Sequence, residues 1–399
     1  MSKISLKHSG GNVVSLNSPT NAPGAADVAF KLPNADGSDG QALVTDGAGN
    51  LSFANAGSSG RARNLIINGA MQVAQRGTSS TTHPAYGADR WRWGFGNHSA
   101  GTVTASQQSL SSSDSGPWEK GFRNYTRLAL GQAGTAAANT YISLRYKVEA
   151  QDITNSGWDY TSGSSNITIS FWFRCSTNQT FYFGVKSEDG TQQSYVSSFT
   201  ASGNNTWTKV TKTIPGNSSI QIDNDNGAGL SLWFYQFYGT DETNNKTLNQ
   251  WAAHSASNLM PDMASTWLTA GASTWDLTGV QLEVGSVATD FEHRSFGQEL
   301  ALCERYCEAT KPRTLLVTRF YGSSGPPFNY FMFRTQKRAT PTISTSGTTF
   351  ETSTGFGAPT FASINENGSR VYINTTMAAN GAMYIDYQSG DPIIIDAEL

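Results

Sequence analysis

The sequence predicts an all-β protein: an extended N-terminal segment, an antiparallel β-sandwich, one short helix and a smaller C-terminal β-domain. Three observations predict it. The segments SLRYKVEA (143–150), ITISFWFRC (167–175), TFYFGVKS (180–187), SYVSSFT (194–200), TWTKVTKTI (206–214) and LSLWFYQFYG (230–239) alternate with period two or are dense in β-formers. Turns rich in Gly, Asn and Ser, such as SGWDYTSGSSN and ASGNN, separate them. Helical periodicity is confined to one short run near residue 300. Strands bounded by turns, without long helices, build a sandwich.

Residues 1–60 contain no Trp, Tyr or Cys, and their apolar residues come in small scattered groups. Such a segment orders against a partner or against copies of itself rather than alone. One hairpin is expected there: QALVT (41–45) and LSFA (51–54) flank the turn DGAGN. Residues 61–294 carry all ten tryptophans and form the sandwich. In ITISFWFRC, Ile167, Ile169, Phe171 and Phe173 share one face. Residues 295–311 hold the helix, over 295–309, with Ser295 as cap, Gln298 completing a capping box and Pro312 stopping it. Phe296, Leu300, Cys303 and Cys307 fall on one face of such a helix. Residues 312–399 return to β patterns, from TLLVTRFYG to IIIDAEL.

Composition excludes several functions. Charged residues are 14% of the 399-residue chain, against about 25% in a typical soluble protein. The net charge is −3, with no basic excess to neutralise phosphates, so no nucleic-acid partner is expected. No apolar run approaches the roughly 18 residues of a membrane span, so no membrane insertion is expected. The opening MSKISLKHSGG lacks an apolar signal-peptide core. Three cysteines make no disulfide framework.

Motifs for chemistry are few. Phosphate loops, G-x-S-x-G and H-E-x-x-H are missing, so neither a cofactor nor catalysis is expected. His293, beside Glu292 and Arg294, reads as surface or as a ligand contact. Cys303 and Cys307 read as buried apolar groups, or as half of a site shared between copies. DNDNG (223–227) reads first as a solvated turn and offers Asp223 and Asp225 only as a weak cation site, since neither register supplies the glutamate of a full calcium loop. Two carboxylates brought together in space could hydrolyse a glycoside, but no motif marks a pair. The tryptophans say more. Trp91 and Trp93 alternate with Arg90 and Arg92, which puts rings on one face and guanidiniums on the other. Trp118, Trp158, Trp251 and Trp267 lie in turn-rich stretches, where a ring can stack on a sugar while amides bond its hydroxyls; core packing is the other reading. Tyr321, Phe328 and Tyr330, in FYGSSGPPFNYF, are expected on an exposed loop.

Four stretches carry a resemblance. NLIINGAMQVAQRGTS (64–79) with YGADRW (86–91) resembles the opening of a domain found in bacteriophage tail-fibre and virion-appendage proteins. LTGVQLEVGSVATDFEHRSFGQELALCERYCE (277–308) is similar to that family's closing strand and following helix, and KRATPTIS (337–344) with the terminal DAEL (396–399) to its C-terminal domain. PNADGSDGQALVTDGAGNLSFA (33–54) is similar to the segment such fibres use near their virion attachment point. The resemblance implies a non-enzymatic virion protein, made in the host cytoplasm, homotrimeric, with a jelly-roll or carbohydrate-binding-like sandwich. Residues 1–60 would attach to other phage proteins, and Phe296, Leu300, Cys303 and Cys307 would meet at the trimer axis or pack on their own sandwich. Non-catalytic recognition of a bacterial surface glycan is the leading expectation. A purely structural spacer, a capsid-attached fibre and a glycan-degrading tailspike are the alternatives.

Overall fold

Strand-forming runs with one apolar face must bury it, and here they do so by stacking two large antiparallel sheets. A computed structural model of the chain describes residues 3–7, 13–17, 31–34, 36, 41–45, 50–55, 63–312, 314–319, 328–352, 358–373 and 382–399. The chain comprises two compact units, Met1–Arg61 and Ala62–Leu399. In the first, β1 (Lys3–Lys7) pairs with β2 (Val13–Asn17), and β3 (Gln41–Thr45) with β4 (Leu51–Asn55). The second pair is the hairpin expected from sequence, in register from Gln41 opposite Asn55 to Thr45 opposite Leu51.

The second unit opens with the sandwich. Its strands are β5 (Ser79–Ser80), β6 (Ala85–Ala88), β7 (Trp91–Gly96), β8 (Val103–Ser109), β9 (Asn124–Leu130), β10 (Tyr141–Glu149), β11 (Asn166–Cys175), β12 (Asn178–Ser187), β13 (Gln193–Ser202), β14 (Thr208–Pro215), β15 (Ala228–Tyr238), β16 (Trp251–Ala253) and β17 (Thr274–Val284). One sheet runs β16-β13-β12-β15-β10-β7-β6, the other β14-β11-β17-β9-β8-β5. Short helices α1 (Ala150–Thr154) and α2 (Thr266–Thr269) sit between strands. Ile167, Ile169, Phe171 and Phe173 are all fully buried between the sheets, each contributing about 2 kcal/mol by burial. Phe171 packs edge-on against Phe234 at 5.0 Å and Phe199 at 5.3 Å, so one strand's alternation is answered by the facing sheet.

The helix is shorter than its sequence pattern suggests. α3 (Phe296–Glu304) starts with the expected capping box between Ser295 and Gln298 but ends at the cap Arg305. Cys307 then begins β18 (Cys307–Thr310), where it lies opposite Asp396. The four-residue apolar face therefore does not exist: Phe296 is exposed and Leu300 half-buried, while Cys303 and Cys307 are fully buried within their own chain. Strand pairing to the C-terminus outcompetes the helical periodicity.

The C-terminal β-rich region continues with β19 (Thr314–Arg319), β20 (Phe328–Met332), β21 (Thr342–Ser344), β22 (Thr348–Thr352), β23 (Thr360–Asn365), β24 (Gly368–Tyr372), β25 (Ala382–Gly390) and β26 (Ile393–Asp396). They form three-stranded sheets ordered β18-β26-β21, β19-β25-β22 and β20-β24-β23. Leu315, Ile373, Ile385 and Ile393 make a small core of their own.

The stretches that carry the resemblance within Ala62–Leu399 meet in space and act as a clasp. Asn64 Nδ2 donates to the Val280 carbonyl at 3.1 Å, and its Oδ1 accepts from Leu282 N at 3.0 Å. Gly69 lies so close to β17 that a Cβ would sit 2.1 Å from the Val280 oxygen. Asn68, at φ +58°, donates to the carbonyls of Val73 and Asp89 at 2.8 and 2.9 Å. Gln75 bonds Asp89 and the backbone of Cys307 and Ala309. Arg76 and Arg90 both pair with Glu398, and Arg90 also lies 3.3 Å over the Tyr306 ring. Arg338 Nε donates to the Ala397 carbonyl at 2.7 Å, and Lys337 pairs with Glu308 at 2.7 Å, both fully buried.

Two outcomes follow for stability. Gly69→Ala drives a methyl group into a backbone carbonyl and is expected to cost about 3 kcal/mol, read as a lower denaturant midpoint. Glu398→Ala leaves the buried Arg90 guanidinium without its carboxylate, and a loss of about 3 kcal/mol is expected by the same measurement.

Candidate functional site: a cationic groove on the seven-stranded sheet

Alternation that buries one face of the seven-stranded sheet aims the other outward. Leu144, Tyr146 and Val148 of β10 are buried in the core, so Arg145 and Lys147 point away from it. The same holds for Arg92 between buried Trp91 and Trp93, and for Trp233 between Leu232 and Phe234. Register then lines these residues up. Tyr86 lies opposite Arg92, Arg92 opposite Arg145, Arg145 opposite Trp233, and Trp233 opposite Gly184, a row across five strands. A second row sets Lys147 and Lys186 on either side of Ser231.

Part of this outer face is covered: Leu248, Leu259, Met260 and Met263 pack against Val196, Tyr182, Tyr235 and Tyr238. The uncovered part is a groove made of two adjoining hollows. One, of about 170 Å³, is lined by residues that include Tyr86, Arg90, Lys147, Lys186, Glu188, Trp233 and Glu398. The other, of about 180 Å³, is lined by residues that include His83, Tyr141, Tyr238 and Glu242. Arg92 and Arg145 line both.

The groove's side chains are held in place. The Arg145 guanidinium stacks on the Trp233 ring at 3.7 Å, and its Nη2 donates to the Tyr238 hydroxyl at 3.0 Å. Trp233 Nε1 donates to Ser231 Oγ at 2.8 Å. Lys186 pairs with Glu188 at 2.9 Å, and Arg90 with Glu398. Among the described residues, Arg92, Arg145 and Lys147 have no carboxylate within ion-pair distance. Burial draws the Lys147 ammonium below its ordinary range; Glu188 opposes that shift, while Lys186 and Arg92 add to it. Partial burial and then Arg92 and Arg145 lower His83 in the same way, favouring its neutral form. Burial pushes the Tyr86 hydroxyl up to about 12, with Glu398 raising it and Arg76 opposing.

Of the side chains singled out from sequence, Arg90 and Arg92 line this groove, and none of the described residues offered for glycan contact does. Trp158 and Trp267 are buried, their Nε1 atoms bonded to the carbonyls of Ser165 and Thr274, so neither ring is open to a sugar. Both loops fold inward because a large ring is worth more in the core. Trp118 is half-buried with Arg123 stacked on it at 3.9 Å, and half-buried Trp251 packs with Tyr195 at 5.7 Å. Tyr321 lies outside the described residues. Phe328 and Tyr330 are exposed, on strand β20 rather than on a loop. Asp223 and Asp225 are exposed but turned to neighbours: Asp225 Oδ1 accepts from Gly227 N at 2.8 Å, and Asp223 N donates to Asp189 at 2.9 Å. Arg338 bonds the same turn through Asn226. Among the described residues no group of three or more His, Cys, Asp and Glu is placed to hold a metal ion. His293 Nε2 lies 2.8 Å from the Lys120 carbonyl, beside a second cleft of about 400 Å³ on the six-stranded sheet. There Lys120 and Lys209 are matched by Glu119 and Asp290.

The groove residues carried a legible signal. In RWRW, LRYKV, GVKS and LWF, each polar or aromatic residue at the outward position of an alternating strand was available to be read as a surface. What could not be read was that β7, β10, β15 and β12 are neighbours in that order.

No protein-family model matches the chain, and no curated protein matches it. Among solved structures, the enzymatically active domain of tailspike protein 4 from bacteriophage CBA120 is 9% identical with a TM-score of 0.29, over 56% of this chain and 21% of that one. The chain thus spans about a fifth of that tailspike's length. A xylan-binding domain from Paenibacillus barcinonensis is 10% identical with a TM-score of 0.27, over 57% of this chain and 99% of its own. The family 11 carbohydrate-binding module from Clostridium thermocellum, in complex with a mixed-linked tetrasaccharide, is 13% identical with a TM-score of 0.26, over 53% of this chain and 99% of its own. Each is a distant likeness.

Proposed function

We propose that the protein is a non-catalytic glycan-binding subunit of a phage virion appendage. The observation that carries the binding is the groove on the seven-stranded sheet. Tyr141, and the half-exposed parts of Tyr86 and Trp233 that Arg76 and Arg145 leave uncovered, give it aromatic surface for the C–H face of a sugar, and guanidinium and hydroxyl groups beside them suit its hydroxyls. The appendage role is supported by the resemblance of the four sequence stretches, and in this reading the protein belongs to the virion with residues 1–60 toward its other proteins. Homotrimeric assembly belongs to the same reading. It would multiply weak single-site contacts into avidity. Phe296 and Leu300 remain at the surface for such a contact, whereas Cys303 and Cys307 do not.

A second surface follows from Phe328, Tyr330 and Met332, which are all exposed along β20, with Arg370 over the Phe328 ring at 4.4 Å. That strand is the alternative place of host contact.

Binding of the purified full-length protein to host cells and to a panel of glycans separates the two. Trp233→Ala is expected to weaken binding roughly 30-fold, about 2 kcal/mol, with the thermal midpoint little changed. Tyr330→Ala is expected to bind as the wild type; the opposite pattern would move the site to β20. Light scattering during size-exclusion chromatography is expected to give three times the 42.8 kDa chain mass. A monomer would remove the trimer from the reading.

A further inference from the structure

We infer that the groove's ligand is an acidic saccharide, one whose sugar rings carry carboxylate or sulfate groups. The inference rests on the glycan-binding reading of the same groove and adds the ligand's charge. Its first ground is a like-charge pair. Arg92 and Arg145 sit directly opposite each other on β7 and β10, an arrangement that opposes strand pairing. Lys147 and Lys186 flank Ser231 in the adjacent row, so four cations occupy two rows of one face.

Its second ground is the shortage of partners. Glu188 is taken by Lys186 and Glu398 by Arg90 and Arg76. Glu242, across the adjoining hollow, lies beyond ion-pair distance of Arg145, although its charge interaction with Arg145 is felt. Arg92, Arg145 and Lys147 are thus left in excess, in a chain whose net charge is −3.

Its third ground is geometry. Arg145 is held by Trp233, Ser143 and Tyr238, so its guanidinium is fixed before a ligand arrives. A planar fork so held accepts a carboxylate or sulfate through paired N–H donors. The aromatic surface beside it takes the ring that bears the acid. A nucleic acid offers phosphates at regular spacing along a long path, whereas this groove is two small hollows of about 170 and 180 Å³, the first lined in part by the carboxylates of Glu188 and Glu398.

Isothermal titration of the full-length protein tests this with matched probes: polygalacturonate against its methyl ester, dextran sulfate against dextran, and single-stranded oligothymidylate. The acidic member of at least one pair is expected to bind tenfold or more tighter than its neutral counterpart. That preference is expected to shrink between about 50 and 200 mM salt and to vanish in the folded double variant Arg92→Gln/Arg145→Gln. Whichever pair shows it tells carboxylate from sulfate. Equal affinity within both pairs overturns the acidic preference while leaving glycan binding in place. Oligothymidylate binding as tight as either acidic polysaccharide, unaffected by Trp233→Ala, overturns a saccharide ligand. No binding of any polysaccharide overturns both readings. If the double variant is unstable, Arg92→Lys, which keeps the charge and loses the fork, is expected to lose part of the preference; no change in it would count against the geometry.

Discussion

The Arg90–Glu398 ion pair is the contact on which the arrangement of the second unit depends. Arg90 stands just before β7, at φ +74°, with its guanidinium buried against Tyr306 and bonded to the Lys147 carbonyl. Removing a guanidinium from water is costly, and only a partner carboxylate with good geometry offsets the cost. Glu398, two residues past β26, is that partner. It comes from the far end of the chain, so the sandwich and the C-terminal sheets must be docked for either charge to be satisfied. Arg76, Asp89, Gln75 and Arg338 complete the cluster around it.

That cluster also shapes the groove. Arg90, Glu398 and Leu399 line the same hollow as Lys147, Lys186 and Trp233. The proposed contact surface would thus share residues with the docking cluster at its boundary, while the middle of the groove belongs to the sheet alone. Arg90 and Lys337 are buried and paired with Glu398 and Glu308, whereas Arg92, Arg145 and Lys147 line the groove with no carboxylate within ion-pair distance among the described residues.

Much of the fold was legible because β-alternation is local. The four-residue face of ITISFWFRC, the hairpin at 41–55 and the capping box at Ser295 each depend on residues within a few positions of one another. The end of the helix was not legible. Cys307 satisfies a helical spacing as well as a strand pairing, and only the presence of Asp396 opposite it decides between them. The tryptophans divide for a related reason. Trp158 and Trp267 sit in turn-rich sequence, and the core-packing reading holds for both, while Trp233 in the middle of an apolar strand faces out.

From its sequence alone the protein is all-β, with its sandwich between a weakly apolar N-terminal segment and a smaller β-rich end, because periodicity and turn residues act over a few residues and need no knowledge of neighbours. The groove was decided by tertiary structure. Arg92, Arg145, Lys186 and Trp233 are scattered along the chain from position 92 to position 233 and become one surface only when strand order and register place them side by side. Long-range pairing, not composition, turned a chain with few charges into one with a concentrated cationic face.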